Sequence, residues 1–538
     1  MATASPFLPT PGRSGSKPSA WLKTARHGLP AIALPLALLA LWAVAASRHW
    51  MSPQILPEPA LVLATARELL AQDLPEHVLA SLSRLALGAL PGLAAGWLLG
   101  LATGLSRRAE RLLYPTLATW ALVPNLALIP LLMVLLGIGD ALKVAIIFNA
   151  TLIPMLVHTH AGVRDISPQL REAAFVLRLN ARQRLRQLDL PAALPAVLTG
   201  LRLALSSAWT ALVIVELLAS SEGIGYLLVW GRQMFQLDIV FVCIAVIGLL
   251  GLALEWAVQQ ADRRLVRWPR PALAHHSAHH STHQAGGSGR AAALLPWLLP
   301  LLLAALWWLA TARTWADPHV LPAPSAVWQA LAQGTADGSL PDAMGQSLAR
   351  YALGLLAGGA IGIALGLACG LLPALNRLLA PTLGALRHIV IFAWLPLLTA
   401  WAGTGEGARV VFIAIASFFP LFVATLRGVA NLPRTLQEAA DALRLSWPQR
   451  LRYLVLPGAA SAILAGLRLG LIHGWLATIG SEYFMASSVG IGSLMINAQQ
   501  LMNVDVIFAG LLLVSATGAL LHFTGQQLEY HLQRWRHA

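Results

Sequence analysis

The chain has 538 residues, of which 57% are hydrophobic and 11% charged, and its formal net charge is +14. A mean hydropathy of +0.67 excludes an ordinary soluble domain. The basic excess does not indicate a nucleic-acid partner, because Lys and Arg of membrane proteins collect in the loops on the cytoplasmic side. Both cysteines, Cys243 and Cys369, lie within apolar stretches, so no disulfide framework is expected.

Apolar stretches recur that are long enough, at about 20 residues, to cross a ~30 Å hydrocarbon core as helices. They are continuous rather than alternating, and backbone groups in lipid need internal partners, so helices are favoured over a barrel. We predict an all-α polytopic membrane protein with about twelve transmembrane helices.

The chain begins with a predicted cytoplasmic tail, residues 1–27. The first apolar stretch is longer than the hydrophobic region of a signal peptide, about 7–15 residues, so a retained span is expected. Residues 28–262 are predicted to form a first domain with six spans, near 28–47, 85–105, 114–136, 141–161, 191–219 and 237–257. Pro124 and Pro130 are expected to break or kink the third span, as is Pro396 in the second half.

Residues 263–290 are predicted to be a flexible cytoplasmic linker rich in His, Gly and Ser. Its histidines could bind a transition metal, but no Cys or carboxylate accompanies them, so a solvated tether is favoured and no metal site or cofactor is predicted. Residues 291–538 are predicted to form a second domain with six spans, near 291–311, 351–371, 380–402, 408–426, 457–485 and 504–524.

The two domains form an internal repeat. Ser81 and Ser347 are 266 residues apart, and the same offset relates Arg84/Arg350, Gly137/Gly403, Asp140/Glu406, Pro154/Pro420, Glu172/Glu438, Pro191/Pro457, Arg202/Arg468 and Glu216/Glu482. Basic residues concentrate in the segments that face the cytoplasm if the N-terminus is inside. The two repeats are therefore expected to be parallel, with both termini cytoplasmic.

A charged segment interrupts each half, at 165–191 and 431–457. In the first, Ser167 and Pro168 predict the start of a short helix, and Asn180 predicts the cap of a second helix that reaches the next span at Pro191. Ser446 replaces Asn180 in the second half. Small alanines would allow a partner's backbone to approach closely, and a basic helix resting on lipid headgroups is the structural alternative.

These segments resemble the EAA loop of ABC importer permeases, the binding-protein-dependent inner-membrane components. The resemblance rests on Glu172-Ala173-Ala174 with Pro191, and on Glu438-Ala439-Ala440 with Pro457. Flanking stretches such as "GLRLAL", "GLRLGL" and "VELLASSEGIGYLL" are similar to the nitrate, sulfonate and taurine branch. The resemblance covers nearly the whole chain outside the tail and linker, twice.

The resemblance implies a type I importer fold, with two permease domains fused in tandem and each EAA loop seated as a coupling helix in a cytoplasmic ATPase. It implies as partners two ABC ATPase subunits, expected to be a homodimer, and a periplasmic binding protein. It also implies a multi-pass location in the bacterial inner membrane. The family motif has glycine where this chain has Arg178 and Arg444. Either the turn differs, or each arginine contacts the ATPase or lipid phosphate.

Charged residues within spans are candidates for the substrate pathway. Glu216, Glu482, Arg202 and Arg468 occur in both halves, so structural pairing is at least as expected as substrate contact. Arg387, His388 and His473 occur in one half only and suit an anionic solute such as a sulfonate, taurine or nitrate. A snorkelling Arg387 is the alternative.

The chain contains no Gly-Lys dipeptide and so no Walker A loop. It is therefore predicted not to be an enzyme, with no catalytic residues, and the ATPase would be a separate subunit. The alternative function is a twelve-span secondary active transporter driven by an ion gradient. That alternative does not explain two EAA segments.

Overall fold

The computed structural model describes residues 20–266, 290–485 without 316 and 319, and 489–532. All regular elements within these ranges are helices. The histidines of the predicted linker lie outside the described residues, as does most of the predicted tail. The first helix begins at Ala20, inside the predicted tail, and the last helix of the first half ends at Leu265, beyond the predicted domain edge at 262.

The first half contains eleven α-helices in its described residues. They are α1 (Ala20–Ser47), α2 (Pro59–Ala71), α3 (Leu74–Leu105), α4 (Arg107–Trp120), α5 (Ile129–Leu136), α6 (Asp140–Arg164), α7 (Pro168–Val176), α8 (Ala181–Arg184), α9 (Leu190–Ala219), α10 (Ile224–Gln233) and α11 (Leu237–Leu265).

The second half repeats this order. Its described helices are α12 (Arg290–Ala312), α13 (Pro324–Ala336), α14 (Ser339–Leu371), α15 (Pro373–Leu386), α16 (Leu395–Ala402), α17 (Glu406–Ala430), α18 (Arg434–Ala442), α19 (Trp447–Arg450), α20 (Leu456–Phe484), α21 (Ile491–Gln500) and α22 (Val504–Leu532). The offset of 266 relates α6 to α17 at both ends. One extra residue before Gly490 makes the offset 267 from α10 onward.

Nine described helical segments are long and apolar enough to cross a membrane, or up to eleven if each of two bent pairs counts as one span. The second span of each half is longer than predicted, because α3 and α14 begin at Leu74 and Ser339, before Arg84 and Arg350. Both arginines are buried within the bundle, which is why they do not end the helix.

The third span is broken in both halves. Helix α4 and the segment Asn125–Leu136 differ in direction by 82°, and α15 and Ile391–Ala402 differ by 91°. Pro124 lies within the break of the first half, but Val390 takes its place in the second. Pro130 and Pro396 lie in the first turn of the continuing helix in both halves, where a missing N–H is tolerated. The predicted break is confirmed. The proline that both halves share, Pro130 or Pro396, lies after the break.

Glycines at every fourth position line the contact between the second and fourth spans. Helix α3 packs on α6 through Gly88, Gly92, Gly96, Gly100 and Gly104. The second half repeats the arrangement on α14 with Gly354, Gly358, Gly362, Gly366 and Gly370. Small residues let two helices in lipid approach closely enough for their backbones to touch. This contact is among the most extensive in each half and positions the segment that follows the fourth span.

The halves interlock rather than lie side by side. Helix α1 packs on α15 of the second half, and α12 packs on α4 of the first. The Trp401 indole donates a hydrogen bond of 3.0 Å to the Ile55 carbonyl across the halves. The residues after each break pack on the fifth span of the other half. One continuous hydrophobic core therefore includes residues of both halves.

Gly358→Ala is expected to destabilise the protein by about 1–3 kcal/mol, the usual cost of overpacking. A Cβ at Gly358 would lie 2.0 Å from the Ala414 carbonyl oxygen, whereas one at the adjacent Gly359 would meet only Leu421 at 3.7 Å. Gly359→Ala is thus the matched control and is expected to be neutral or slightly stabilising. The measurement is the thermal midpoint of the detergent-purified chain, and equal midpoints for the two variants would contradict the packing argument.

Candidate coupling segments and transport pathway

The first charged segment consists of two short helices joined by a tight turn. Helix α7 (Pro168–Val176) is followed by α8 (Ala181–Arg184), which begins at a capping box formed by Asn180 and Gln183. The Gln183 N–H donates to Asn180 Oδ1 at 2.8 Å, and the Asn180 N–H donates to Gln183 Oε1 at 3.0 Å. The Asn180 cap predicted from sequence is confirmed.

The second helix is continuous with the fifth span. A five-residue π-helical stretch, Leu185–Asp189, joins α8 to α9, and Leu451–Val455 joins α19 to α20. Pro191 and Pro457 lie in the first turn after these stretches, where the widened turn tolerates the missing N–H. In the second half, the Ser446 N–H donates to Gln449 Oε1 at 2.9 Å. Movement of either segment is therefore transmitted directly along a transmembrane helix.

The turn between the short helices is left-handed in both halves. Arg178 has φ +51° and Arg444 has φ +48°. The Leu179 N–H bonds the Ala174 carbonyl, and the Leu445 N–H bonds the Ala440 carbonyl, both at 3.1 Å. These bonds close a Schellman turn, whose left-handed residue is usually glycine. The turn for which the resemblance implies glycine is therefore formed here with arginine.

The two alanines of each triplet point in different directions. Glu172 and Ala173 are exposed, as are Glu438 and Ala439. Ala174 and Ala440 are buried, with exposed fractions of 7% and 4%. The second alanine is buried within the chain, and its carbonyl closes the turn. The Glu and the first alanine form the accessible face, and close approach of a partner to the alanines stays a prediction.

The two segments differ in how they are attached and in what they expose. Arg171 Nη2 donates to the Val163 carbonyl at 2.8 Å and ties α7 to the end of α6. Its counterpart Gln437 donates to the Leu432 carbonyl at 3.1 Å. The first segment exposes an apolar run, with Phe175 86% exposed and followed by Val176 and Leu177. At the position of Phe175 the second segment has Asp441, which pairs with Arg450.

Glu216 is buried at the end of α9 that lies away from these segments. It accepts hydrogen bonds from Ser81 Oγ at 2.8 Å and from the Gly225 N–H at 3.0 Å, and Arg84 Nη1 lies 3.4 Å from it. Arg84 also pairs with Asp140 at 2.8 Å. A buried carboxylate needs a charge partner and hydrogen bonds to be stable, and this one has both.

The second half contains the same network. Glu482 accepts from Ser347 Oγ at 2.6 Å, from Arg350 Nη1 at 2.9 Å and from the Gly492 N–H at 2.8 Å. Arg350 also bonds Glu406. Of the two sequence interpretations of Glu216 and Glu482, the geometry favours structural pairing over substrate contact. Each carboxylate holds the start of the next short helix, α10 or α21.

Glycines make this arrangement sterically possible. Gly223 has φ +106°, and a Cβ there would lie 2.3 Å from Glu216 Oε1. Gly490, with φ +159°, is in the same situation, since a Cβ would lie 2.6 Å from the Glu482 carboxyl carbon. The two glycines of "EGIG" in the first half, Gly223 and Gly225, therefore leave room for the Glu216 carboxylate. These glutamates were predicted as candidates and their partners were not, although the 266-residue offset already linked Ser81, Arg84 and Asp140 to counterparts.

Other candidate pathway residues meet near the inner part of α9. Arg202 pairs with Glu255 of α11, and Arg468 with Glu529 of α22 at 3.3 Å. Arg387 and His388, in the break of the second half, lie within electrostatic range of Arg202 and Glu255. The structure thus brings three of the predicted residues together around one carboxylate.

His473 and its surroundings show the asymmetry of the pathway. His473 is exposed, and its Nδ1 donates to the Leu469 carbonyl at 2.8 Å. Its counterpart Ser207 lines a pocket of ≈ 150 Å³ at the break of the first half. There Asn149 accepts from the Trp120 indole at 2.8 Å and donates to Asn125 at 2.5 Å. Isoleucines take the places of both asparagines in the second half, a difference that the sequence analysis did not use.

Comparison with known proteins agrees with this architecture. Residues 92–267 and 360–537 each match the family described as "Binding-protein-dependent transport system inner membrane component". The chain belongs to this family. It contains the family domain twice, which confirms the tandem permease and the type I importer fold predicted from sequence. Membership of this family favours a permease subunit over the secondary-transporter alternative. Permease subunits of this class do not themselves hydrolyse ATP.

Individual relatives cover about half of the chain, as expected for single permease domains. Those named "Putative aliphatic sulfonates transport permease protein SsuC" are 34% identical over 257 residues in Bacillus subtilis (strain 168) and 37% identical over 236 in Escherichia coli (strain K12). These matches cover 48% and 44% of this chain, and 91% and 90% of the relatives. The riboflavin transport system permease protein RibX of Chloroflexus aurantiacus is 36% identical over 247 residues, which cover 45% of this chain and 92% of the relative.

Arg350→Met is expected to destabilise the chain by about 3–5 kcal/mol, because it leaves Glu482 buried without its charge partner. Arg468→Met is the control, since its pair with Glu529 is partly exposed and should contribute at most about 1 kcal/mol. The thermal midpoints of the two purified variants test this difference. A loss for Arg350→Met no larger than for the control would show that the network does not stabilise the fold.

The double variant Arg178→Gly, Arg444→Gly is expected to keep transport intact and to be slightly more stable. Glycine adopts the left-handed turn without the ~1–2 kcal/mol cost that a side chain imposes there. Transport rate and thermal midpoint are the measurements, with Arg182→Gly as a control that removes an arginine from α8 without a left-handed turn. A large loss of coupled ATP hydrolysis would mean that the two arginines contact the ATPase.

Proposed function

We propose that this chain is the complete transmembrane part of an ATP-driven importer, with both permease domains in one polypeptide. The observation that carries the proposal is the pair of EAA segments, which have the same capped, left-handed geometry and expose Glu172 and Glu438 at one face. Each segment would seat in one subunit of a separate ABC ATPase pair. A periplasmic binding protein would deliver the solute to the opposite face.

The coupling would run through rigid helices. Because α8 continues into α9 and α19 into α20, closure of two ATPase subunits would move both fifth spans together. At the far end of those spans, Glu216 and Glu482 fix α10 and α21 to the same helices. Alternating access would then follow from rocking of the two interlocked halves, with the broken third spans and the residues around Glu255 lining the path.

The basic residues support the proposed orientation. Arginines of segments 165–191 and 431–457 lie at one face, which we place in the cytoplasm of a bacterial inner membrane together with both termini. The relatives named for aliphatic sulfonates and taurine support a small anionic solute. The homodimeric ATPase is part of the proposal. The different apolar surfaces of the two segments would then meet equivalent sites on identical subunits.

The double variant Glu172→Lys, Glu438→Lys tests the docking sites. We expect a P-loop ATPase to co-purify with the wild-type chain from its host's membranes and to be lost from the variant, because an exposed carboxylate is replaced by a cation in both segments. Immunoblotting or mass spectrometry of the purified fraction is the measurement. Single variants show whether both segments are required.

The matched control is Glu68→Lys, Glu76→Lys, which makes the same charge change on exposed residues of α2 and α3 at the opposite face. It should retain the ATPase. Absence of an ATPase from the wild-type preparation would sink the importer proposal, and retention in the Glu172, Glu438 double variant would place the docking surface elsewhere.

A further inference from the structure

A pocket of ≈ 200 Å³ lies between the halves at the face opposite the coupling segments. Its walls include Leu217 and Leu218 at the end of α9 and their counterparts Tyr483 and Phe484 at the end of α20. Both members of each pair contribute, so the pocket lies between the ends of the two fifth spans, on the side of α10 and α16. A solute that enters between these ends from this face would meet the pocket. The volume suits a solute of a few non-hydrogen atoms.

One cation lines this pocket. Arg232, on α10, is half-buried, and its Nη1 donates to Thr399 Oγ1 of α16 at 3.3 Å, across the halves. Within the described part of the chain, no carboxylate lies within ion-pair distance of Arg232. Arg84, Arg350, Arg202 and Arg468 differ in this respect, since each has a carboxylate partner.

An unneutralised guanidinium in an apolar wall is costly, which makes it a candidate for function. Its planar set of N–H donors matches the oxygens of a sulfonate or carboxylate. The remaining walls, from Val229, Leu395 and Pro396, are apolar and suit a short aliphatic tail. Together they fit a small organic anion better than a cation or a neutral polar solute.

The cation is present in one half only. The counterpart of Arg232 in the second half is Gln499, and the counterpart of Thr399 is Met133. One positive charge in the pocket matches one negative charge on a solute. Helix α10 is anchored at its start by Glu216, so Arg232 is held by a fixed element rather than by a loop.

We propose that Arg232 binds the anionic group of the transported solute, a short aliphatic sulfonate or a similar oxyanion, as it enters the gap between the halves. This inference rests on the importer function proposed above and specifies its substrate class. Thr399 accepts this hydrogen bond from Arg232 and itself donates to the Pro396 carbonyl at 2.9 Å. The competing role of the Arg232–Thr399 contact is a latch that holds the halves together without touching solute.

The test uses the full chain, purified with the ATPase that accompanies it and placed in nanodiscs without nucleotide. Equilibrium dialysis with radiolabelled ethanesulfonate measures binding, and neutral ethanesulfonamide serves as a competitor of the same shape. We expect saturable binding that excess ethanesulfonate displaces and ethanesulfonamide does not. Arg232→Gln should raise the dissociation constant about tenfold or more, as for loss of a charged hydrogen bond. The dissociation constant of Arg232→Lys should lie between those of the wild type and Arg232→Gln.

Three variants separate the alternatives. Arg232→Gln installs the residue that the second half carries at this position, so folding should be preserved. Thr399→Val removes the contact between the halves but keeps the cation, and should change binding by less than about threefold. Arg67→Gln removes an exposed cation from α2 at the same face and should bind as the wild type does.

The inference is overturned if Arg232→Gln binds ethanesulfonate normally, or if Thr399→Val weakens binding as much, which would indicate a latch. It is also overturned if Arg387→Ala alone abolishes binding, which would move the anion site to the group around Glu255. Absence of wild-type binding up to the order of 10 mM overturns it as well. None of these outcomes affects co-purification of the ATPase, so failure of this inference is distinguishable from failure of the proposed function.

Discussion

The buried pairing of arginine with glutamate at the end of each fifth span is the constraint on which the rest of the molecule depends. A lone carboxylate inside the bundle would be costly enough to unfold that region. Arg84 and Ser81 of the second span supply the partners of Glu216, and Asp140 of the fourth span holds the same arginine. Three spans and the start of a short helix are thereby joined at one point in each half.

These contacts join the second, fourth and fifth spans of each half into one rigid body. Movement is then expected between such bodies rather than within them. The glycine contacts fix the second span to the fourth, and the carboxylate networks fix both to the fifth. The coupling segments are continuous with the fifth span, so a displacement at one face reaches the other without an intervening loop. The broken third spans divide their contacts, since α5 and α16 pack on helices of the opposite half as well as on their own.

Local features were predictable from the sequence and long-range ones were not. The Asn180 cap and the break at the third span follow from residue types within a few positions. The burial of Ala174 was not predicted, because it accompanies the Schellman turn, which the arginine at the left-handed position concealed. The starts of the second spans were predicted too late in the chain. Arg84 is charged, and its partner Glu216 lies 132 residues away. Apolar periodicity carries no information about such pairings.

The interlocking of α1 with α15, and of α12 with α4, has a consequence for how the two halves could diverge. Halves that differ as Arg232 differs from Gln499 are no longer interchangeable, since a pair of like halves would carry two cations or none at this position. If the two halves were separate chains that paired at random, roughly half of all assemblies would contain two copies of the same half. Joining them in one polypeptide fixes the composition at synthesis. A duplicated gene of this form can therefore accumulate one-sided changes in its pore without any cost in misassembly.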